Sequence, residues 1–458
     1  MRRRSLTGPI ILILVGAAFL MYNLRPDIQL LDLMSEYWPL LLIAWGFLRL
    51  IEVVVDYSRG TLSSTPRVGG GEVVLILFIC FIGWGFLSLH RLGFRFSPIW
   101  ETGKEFTVSK QEPVGQAKRF VFEGGRGNIR ITGGDTTDIV VSGRKSVRGV
   151  QNAEADRVND STPLEIVKDG DTVTVRTNQD RNSGGGRIAE DLEITIPGGM
   201  NVDARGSDGD YDVSEMRGNV ELHIEASDVR LNNIGGNARV ELQSSKLVRA
   251  VDVKGDLDLQ GRGSDVELEN ITGQVTINGS YDGRLDFKNL AKPMHFESPN
   301  TDLRVAALPG EITMSLGDLT GNNLVGPVHL VTRSKDVKFE DFTNSLELET
   351  DRGDIELLPK HVPLAKIEAR SRSGQISLAL PEKAAFQLTA STDHGEAVND
   401  FGAPIQKESD GKSASLKGTV GQGATIHMVT GRGTVSVRKA GADSEDRDKS
   451  EKPEKAET

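Results

Sequence analysis

The sequence predicts an all-β parallel β-solenoid, with rungs of about 18–20 residues, preceded by an α-helical transmembrane region. Three observations predict it. Gly218, Gly236, Gly255 and Gly273 open successive units at steps of 18, 19 and 18 residues, and the phase returns at Gly310, Gly326 and, as asparagine, Asn344. Each unit reads as two short strands with an apolar residue at every second place, such as 220–224 and 228–231, and no helical stretch lies between them. Ahead of the repeats stand three apolar blocks, each close to the roughly 20 residues that cross a bilayer as helix.

The membrane region is taken as residues 1–90, with spans at about 5–24, 37–55 and 72–89. Backbone polar groups find no water inside a bilayer, so isolated spans there must be helices. Trp38, Trp84 and Trp100 lie toward block ends, where an aromatic belt is favoured. Arg2, Arg3 and Arg4 could also head a cleaved signal peptide, but small-residue cleavage chemistry is missing after Leu20 and two more blocks follow. Arg2, Arg3, Arg4, Arg59 and Arg67 favour the cytoplasm, so three crossings put the C-terminal domain outside, although Arg91, Arg95 and Lys104 weigh against that bias.

Residues 91–117 are polar and carry Pro98 and Pro113, which reads as a linker. A leading β-rich module follows at 118–200, with a short polar helix expected near 150–158 and a flexible turn at 182–186. The solenoid repeats occupy 201–438. Their inward residues include Val220, Leu222, Ile224, Val240, Leu257, Val275, Ile277, Ile312, Met314, Val328 and Leu330 on first strands. Second strands supply Val229, Leu231, Val266, Leu268, Leu285, Phe287, Leu303, Val305, Val337 and Phe339. Stacked about 4.8 Å apart, these form continuous aliphatic columns. Irregular rungs are expected around Lys292 and Pro293 and after Pro363, and 439–458 reads as a disordered charged tail.

Composition narrows the function. The 51 glycines imply dense turns, and the single Cys80 excludes an intramolecular disulfide. A net charge of −11 argues against a nucleic-acid binder, whose footprint would be a basic face. No catalytic constellation emerges: the seven histidines lack metal spacing, and no serine sits in a Gly-x-Ser-x-Gly elbow.

The sharpest chemical feature is an aspartate series at the strand-opening turn: Asp210, Asp228, Asp265, Asp282, Asp302, Asp318, Asp336 and Asp354, with Lys246 at the skipped rung. A structural role is expected, each carboxylate capping its own turn by accepting a backbone N–H. The alternative is a calcium ladder through Asp265, Asp282 and Asp302, although the glycine-rich calcium nonapeptide is absent.

The turns at 209–213, 264–268, 352–357 and 372–378 repeat a glycine or serine, aspartate, aliphatic signature, and on these residues the stretch 120–437 resembles the bacterial putative-adhesin domain family, a β-solenoid. Separately, Gly8-Pro9 in the first apolar block and Trp38-Pro39 opening the second make this region similar to the small membrane domain of bacterial cell-wall-stress regulators. The resemblances imply fold, an envelope location and a signalling context, and transfer no active residues.

The expected function is therefore that of a bacterial membrane protein, multi-pass, whose extracytoplasmic solenoid binds as an adhesin-like module without enzymatic activity and without a cofactor. Its expected partners are the membrane and either envelope polymers or a membrane-bound regulatory protein. The alternative is an envelope-stress sensor acting through its membrane helices. A carbohydrate-active enzyme stands third, since a scatter of Asp, Arg and Lys on one face can mimic such a site.

Overall fold

The computed structural model describes residues 103–182 and 187–441. The chain divides into compact units at Glu101 and Thr102, and the described residues belong to the second. The three expected spans, most of the glycine-rich turn and nearly all of the charged tail lie outside them. Among the described residues no helix is long and apolar enough to cross a membrane.

The second unit is nearly all β and its sheet is mostly parallel. Each rung gives one strand to each of two faces. On the first face Asn201–Asp208, Val220–Ala226, Ala238–Ser244, Leu257–Gly263, Val275–Tyr281 and Met294–Ser298 pair in parallel, with Val220, Ala238, Leu257, Val275 and Met294 in one register column. On the second face Tyr211–Met216, Val229–Ile234, Leu247–Val253, Asp265–Ile271 and Leu285–Leu290 do the same. The inward alternation follows directly. Every aliphatic or phenylalanine position assigned inward above is buried, as the pleat requires when both faces close on one core.

The leading module joins this sheet without a break at residue 200. Arg119–Glu123 pairs in parallel with Asn201–Asp208, and Ile129–Gly134 pairs in parallel with Tyr211–Met216, so the module supplies the first rung. The helix Asn152–Ser161 forms where a short helix was expected and packs Ala155 and Val158 against Val147 and Ile188. The presumed linker is different. Residues Lys104–Pro113 form a strand antiparallel to Asp138–Arg148, because Phe106 and Val108 alternate with polar neighbours, Val108 packing on the main core and Phe106 on the small cluster beside the helix.

One rung is traversed backwards. Thr301–Met314 runs antiparallel to both Met294–Ser298 and Leu285–Leu290, and Asp318–Ser334 runs antiparallel to it in turn. Two-residue loops, Pro299-Asn300 and Leu316-Gly317, make the reversals. Ser298 Oγ accepts from Thr301 N at 3.1 Å, and Ser315 Oγ accepts from Asp318 N at 3.1 Å. Gly310 therefore opens no rung and lies inside a reversed strand, whereas Gly326 does open one: Asp318–Ser334 pairs with Asp336–Thr343 up to Val325 and with Leu346–Arg352 from Val328, so it turns from the second face to the first at Gly326. At Gly310 a Cβ would stand 2.0 Å from the Asn322 carbonyl oxygen, so glycine serves close backbone approach there. The irregularity expected at Lys292 and Pro293 begins later, since Met294 keeps its place beside Val275.

Beyond Pro363 the spatial order departs from the chain order. Ile367–Ser371 pairs with Leu346–Arg352 on one side and with Ala424–Arg432 on the other, so residues 386–420 form an insertion between neighbouring rungs. A further column went unread in the sequence. Glu215, Asn233, Asp252, Asn270 and Asn289 all adopt left-handed φ of 51–59° at one corner, each just before a buried apolar residue. Their side chains link rung to rung, as in Asn270 Nδ2 to Asp252 Oδ1 at 2.9 Å and Asn289 Nδ2 to Asn270 Oδ1 at 2.7 Å. Asparagine and aspartate tolerate this backbone better than other side chains.

Candidate functional site

The corner leading from the first face to the second carries the predicted aspartates. In register its column reads Asp210, Asp228, Leu247, Asp265 and Arg284 in the first half, then Asp318, Asp336, Asp354 and Gln375 in the second. Adjacent carboxylates thus occur as Asp210 with Asp228 and as Asp318, Asp336 and Asp354. Asp282 and Asp302 fall outside the column. The first lies two residues ahead of Arg284, and the second is carried by the reversed strand onto the first face, where His295 Nε2 and Arg304 Nη2 approach it at 3.1 and 2.9 Å. Asp265, Asp282 and Asp302 therefore make no ladder. Among the described residues no group of three or more His, Cys, Asp or Glu is placed to hold a metal ion.

The carboxylates reach the next rung rather than their own turn. Asp228 Oδ1 accepts from Lys246 N at 3.1 Å and Leu247 N at 3.0 Å, Asp265 Oδ1 from Arg284 N at 2.8 Å, Asp336 Oδ1 from Asp354 N at 2.8 Å, and Asp354 Oδ1 from Gln375 N at 2.7 Å. Turn N–H groups at a corner lack a ladder partner, so a short side-chain oxygen from the preceding rung satisfies them. The opposite corner does the same through Asn201, Asn219, Asn237 and Asp256, each accepting from the backbone N–H one rung on at 2.8–2.9 Å. Replacing Asp354 by alanine should cost about 1 kcal/mol in a denaturant melt, whereas asparagine keeps the acceptor and should cost a few tenths. Millimolar calcium should leave the melting temperature of the wild type unchanged; a binding cation would add RT ln(1 + [L]/Kd), about 2.7 kcal/mol at a hundredfold excess.

Along this corner lie two concavities of opposite sign. One, of about 220 Å³, is lined by Asp208, Asp210 and Asp228 with Ser227, Ser245 and Lys246. The other, of about 570 Å³, is lined by Arg333, Arg352, Arg372 and Arg432 with Asp351 as its carboxylate. Its arginines are exposed. His223 and His329, in contrast, sit on outer positions beside carboxylates: His223 Nδ1 lies 3.0 Å from Glu241 Oε2 and His329 Nδ1 lies 3.3 Å from Glu347 Oε2.

Residues 118–438 match the family described as Toastrack DUF4097. The chain belongs to that family. Residues 6–50 match a LiaI-LiaF-like transmembrane region, so both resemblances read from the sequence stand. A solved chain from Clostridium sporogenes, described as a "putative cell adhesion protein", is similar at 8% identity over 74% of this chain and 100% of its own, with a TM-score of 0.18. No curated protein matches.

The Toastrack region also buries one ion pair that the sequence did not reveal. Lys145 and Glu190 are almost fully enclosed beside the helix Asn152–Ser161, with Nζ 3.5 Å from Glu190 Oε1. Lys145 Nζ donates to Thr162 Oγ1 at 2.6 Å and to the Thr162 carbonyl, whereas neither Glu190 oxygen accepts a hydrogen bond. Burial pushes the Glu190 carboxyl up from 4.5 to about 7 against the pull of Lys145, and burial lowers Lys145. Between pH 4.5 and 7 the folded chain holds a proton on Glu190 that the unfolded chain has lost. Stability from this group is therefore present below that window and falls as pH rises through it, by on the order of 3 kcal/mol. Melts of wild type and Glu190→Gln across this range should diverge accordingly, and parallel profiles would show that Glu190 does not titrate there.

Proposed function

We propose that this chain is a bacterial multi-pass membrane protein whose Toastrack solenoid stands outside the cytoplasm and binds an envelope component, adhesin-like and without catalysis. The observation that carries the reading is the union in one chain of a transmembrane-region match at 6–50 and a Toastrack match at 118–438. Apolar residues of the solenoid point into the core, so its corners offer polar side chains and shallow concavities to a partner. Repeat proteins use such extended surfaces for binding.

A second reading gives the protein a regulatory role, with its membrane segments contacting a sensor and the solenoid reporting envelope damage. The LiaI-LiaF-like match favours it, because that region resembles the membrane domain of cell-wall-stress regulators. Sedimentation of the full chain, held in neutral detergent micelles, with purified cell-wall sacculi separates the two. The binding reading expects the chain in the pellet and its release when residues 118–438 are deleted. A chain left in the supernatant, with an envelope-stress response lost on deleting residues 1–90, would favour regulation.

A further inference from the structure

Arg333, Arg352, Arg372 and Arg432 occupy four neighbouring rungs. Ser334 is in register with Arg352, Thr350 with Ser371, and Ser371 with Thr430, so Arg352 and Arg432 stand in the column of Ser334 and Ser373, whereas Arg333 and Arg372 stand one residue earlier, in the column of Asp351 and Gly431; all four lie at the same corner, one per rung, with rungs roughly 5 Å apart. The backbone fixes this stacking: Arg372 N donates to Thr350 O at 3.0 Å and Arg432 N to Arg372 O at 3.1 Å. Charge compensation is thin. Asp351 pairs with Arg372 at 3.0 Å, and among the described residues no ion pair engages Arg333, Arg352 or Arg432. Elsewhere Arg119 pairs with Asp203, Arg230 with Asp210, Arg249 with Glu267 and Arg284 with Asp286, while Arg148, Arg157, Arg187, Arg262 and Arg370 also make no ion pair among the described residues but stand apart rather than in one cleft. Four guanidiniums on successive rungs with one carboxylate, Asp351, among them leave an excess of positive charge that repels itself unless a further anion joins them.

We propose that this cleft is an anion-binding site that takes a linear phosphate-bearing polymer, laid across the four rungs. The guanidinium fork binds a phosphate through two parallel N–H donors, and three of the four forks are not committed to a carboxylate. The Ser334 and Ser373 hydroxyls lie in the same cleft and add neutral donors between the cations. An open trough of about 570 Å³ with one cation per rung suits a chain of repeated anions better than a single phosphate, which can reach only neighbouring arginines. The proposal rests on the binding reading above and names its ligand class.

The test uses the full chain in neutral detergent micelles, with linear inorganic polyphosphate as probe, orthophosphate as the single-anion comparison and polyglutamate as the carboxylate comparison. Wild type should bind polyphosphate with a salt slope near −3, as four neutralised contacts on a flexible polyanion give. Arg352→Ser with Arg432→Ser should weaken Kd at least tenfold and roughly halve the slope. Serine already stands at this corner on adjacent rungs, as Ser334 and Ser373, so the pair should fold; if it melts lower, Arg333→Ser supplies the same comparison. Arg249→Ser, which removes an arginine already paired with Glu267, should leave Kd unchanged. Equal affinity of wild type and the double variant, an equal loss in Arg249→Ser, or tighter binding of polyglutamate or orthophosphate than of polyphosphate would overturn the site. Sacculus sedimentation keeps the two levels apart. A chain that ignores polyphosphate yet still pellets loses this ligand class and keeps the binding function, whereas one that does neither loses both.

Discussion

Val266→Asp should be the most damaging single substitution considered for the solenoid, lowering stability by about 4 kcal/mol or more. Val266 is completely buried, with Val248 on one neighbouring rung and Leu285 on the other. A carboxylate there would be enclosed between aliphatic columns, where every backbone donor is already committed to a ladder. It must either ionise without solvent or take up a proton, and both routes cost free energy. Stability in a stacked array is a sum over neighbours, so damage should start at rungs 248, 266 and 285 and spread outward. Limited proteolysis should find first cuts at the corners flanking 266. A melt indistinguishable from wild type would mean that position 266 faces solvent and that the inward phase is misassigned.

Gly261→Ala should follow, at about 3 kcal/mol or more. Gly261 holds φ at +123°, and a Cβ there would stand 1.8 Å from the Leu242 carbonyl oxygen on the preceding rung. The obstacle is backbone, which cannot rotate aside as a side chain can, so the ladder itself must shift. Gly170 isolates the two contributions. Its φ is +59° but nothing lies within 4 Å of its Cβ direction, so Gly170→Ala carries conformational strain alone and should cost about 1 kcal/mol. Urea melts of both variants measure the difference. Equal losses would mean that the close approach at Gly261 is relieved without cost.

The repeat was legible because glycine spacing and period-two alternation are local properties of the chain. Val220, Leu222 and Ile224 had to share a face once the strand was recognised, and burial of that face needed only a neighbour above and below. Direction was not legible. Alternation is the same for a strand read forwards or backwards, so Leu303, Val305, Ile312 and Met314 were placed inward correctly while their strand was given the wrong sense. The signal that could have found it is the pair of tight loops at Pro299-Asn300 and Leu316-Gly317.

Register was equally hidden. The rung after Asp265 runs 19 residues to Arg284, whereas Asp282 stands 17 residues on and two places short of the column, a difference that spacing alone does not fix. The aspartates were recognised as turn residues, but their acceptor role points across rungs, a geometry that exists only after stacking. The arginine cleft was the least accessible of all. Arg372 and Arg432 lie on either side of the insertion 386–420 and become neighbours because Ile367–Ser371 pairs with Ala424–Arg432. The Lys104–Pro113 strand, in contrast, carried its alternation openly at Phe106 and Val108 and was masked by the polar residues around it.

The proposed binding role requires the solenoid to stand outside the cytoplasm, and a topology reporter fused after Thr458 tests that directly. Basic residues ahead of the first apolar block and between the second and third favour the cytoplasm, so the three crossings proposed for this chain would deliver the C-terminus to the far side. A reporter that is active only outside the cytoplasm should therefore be active in this fusion, and a reporter active only inside should be silent. The reverse pattern would contradict the account, because a solenoid held in the cytoplasm could not meet an envelope polymer.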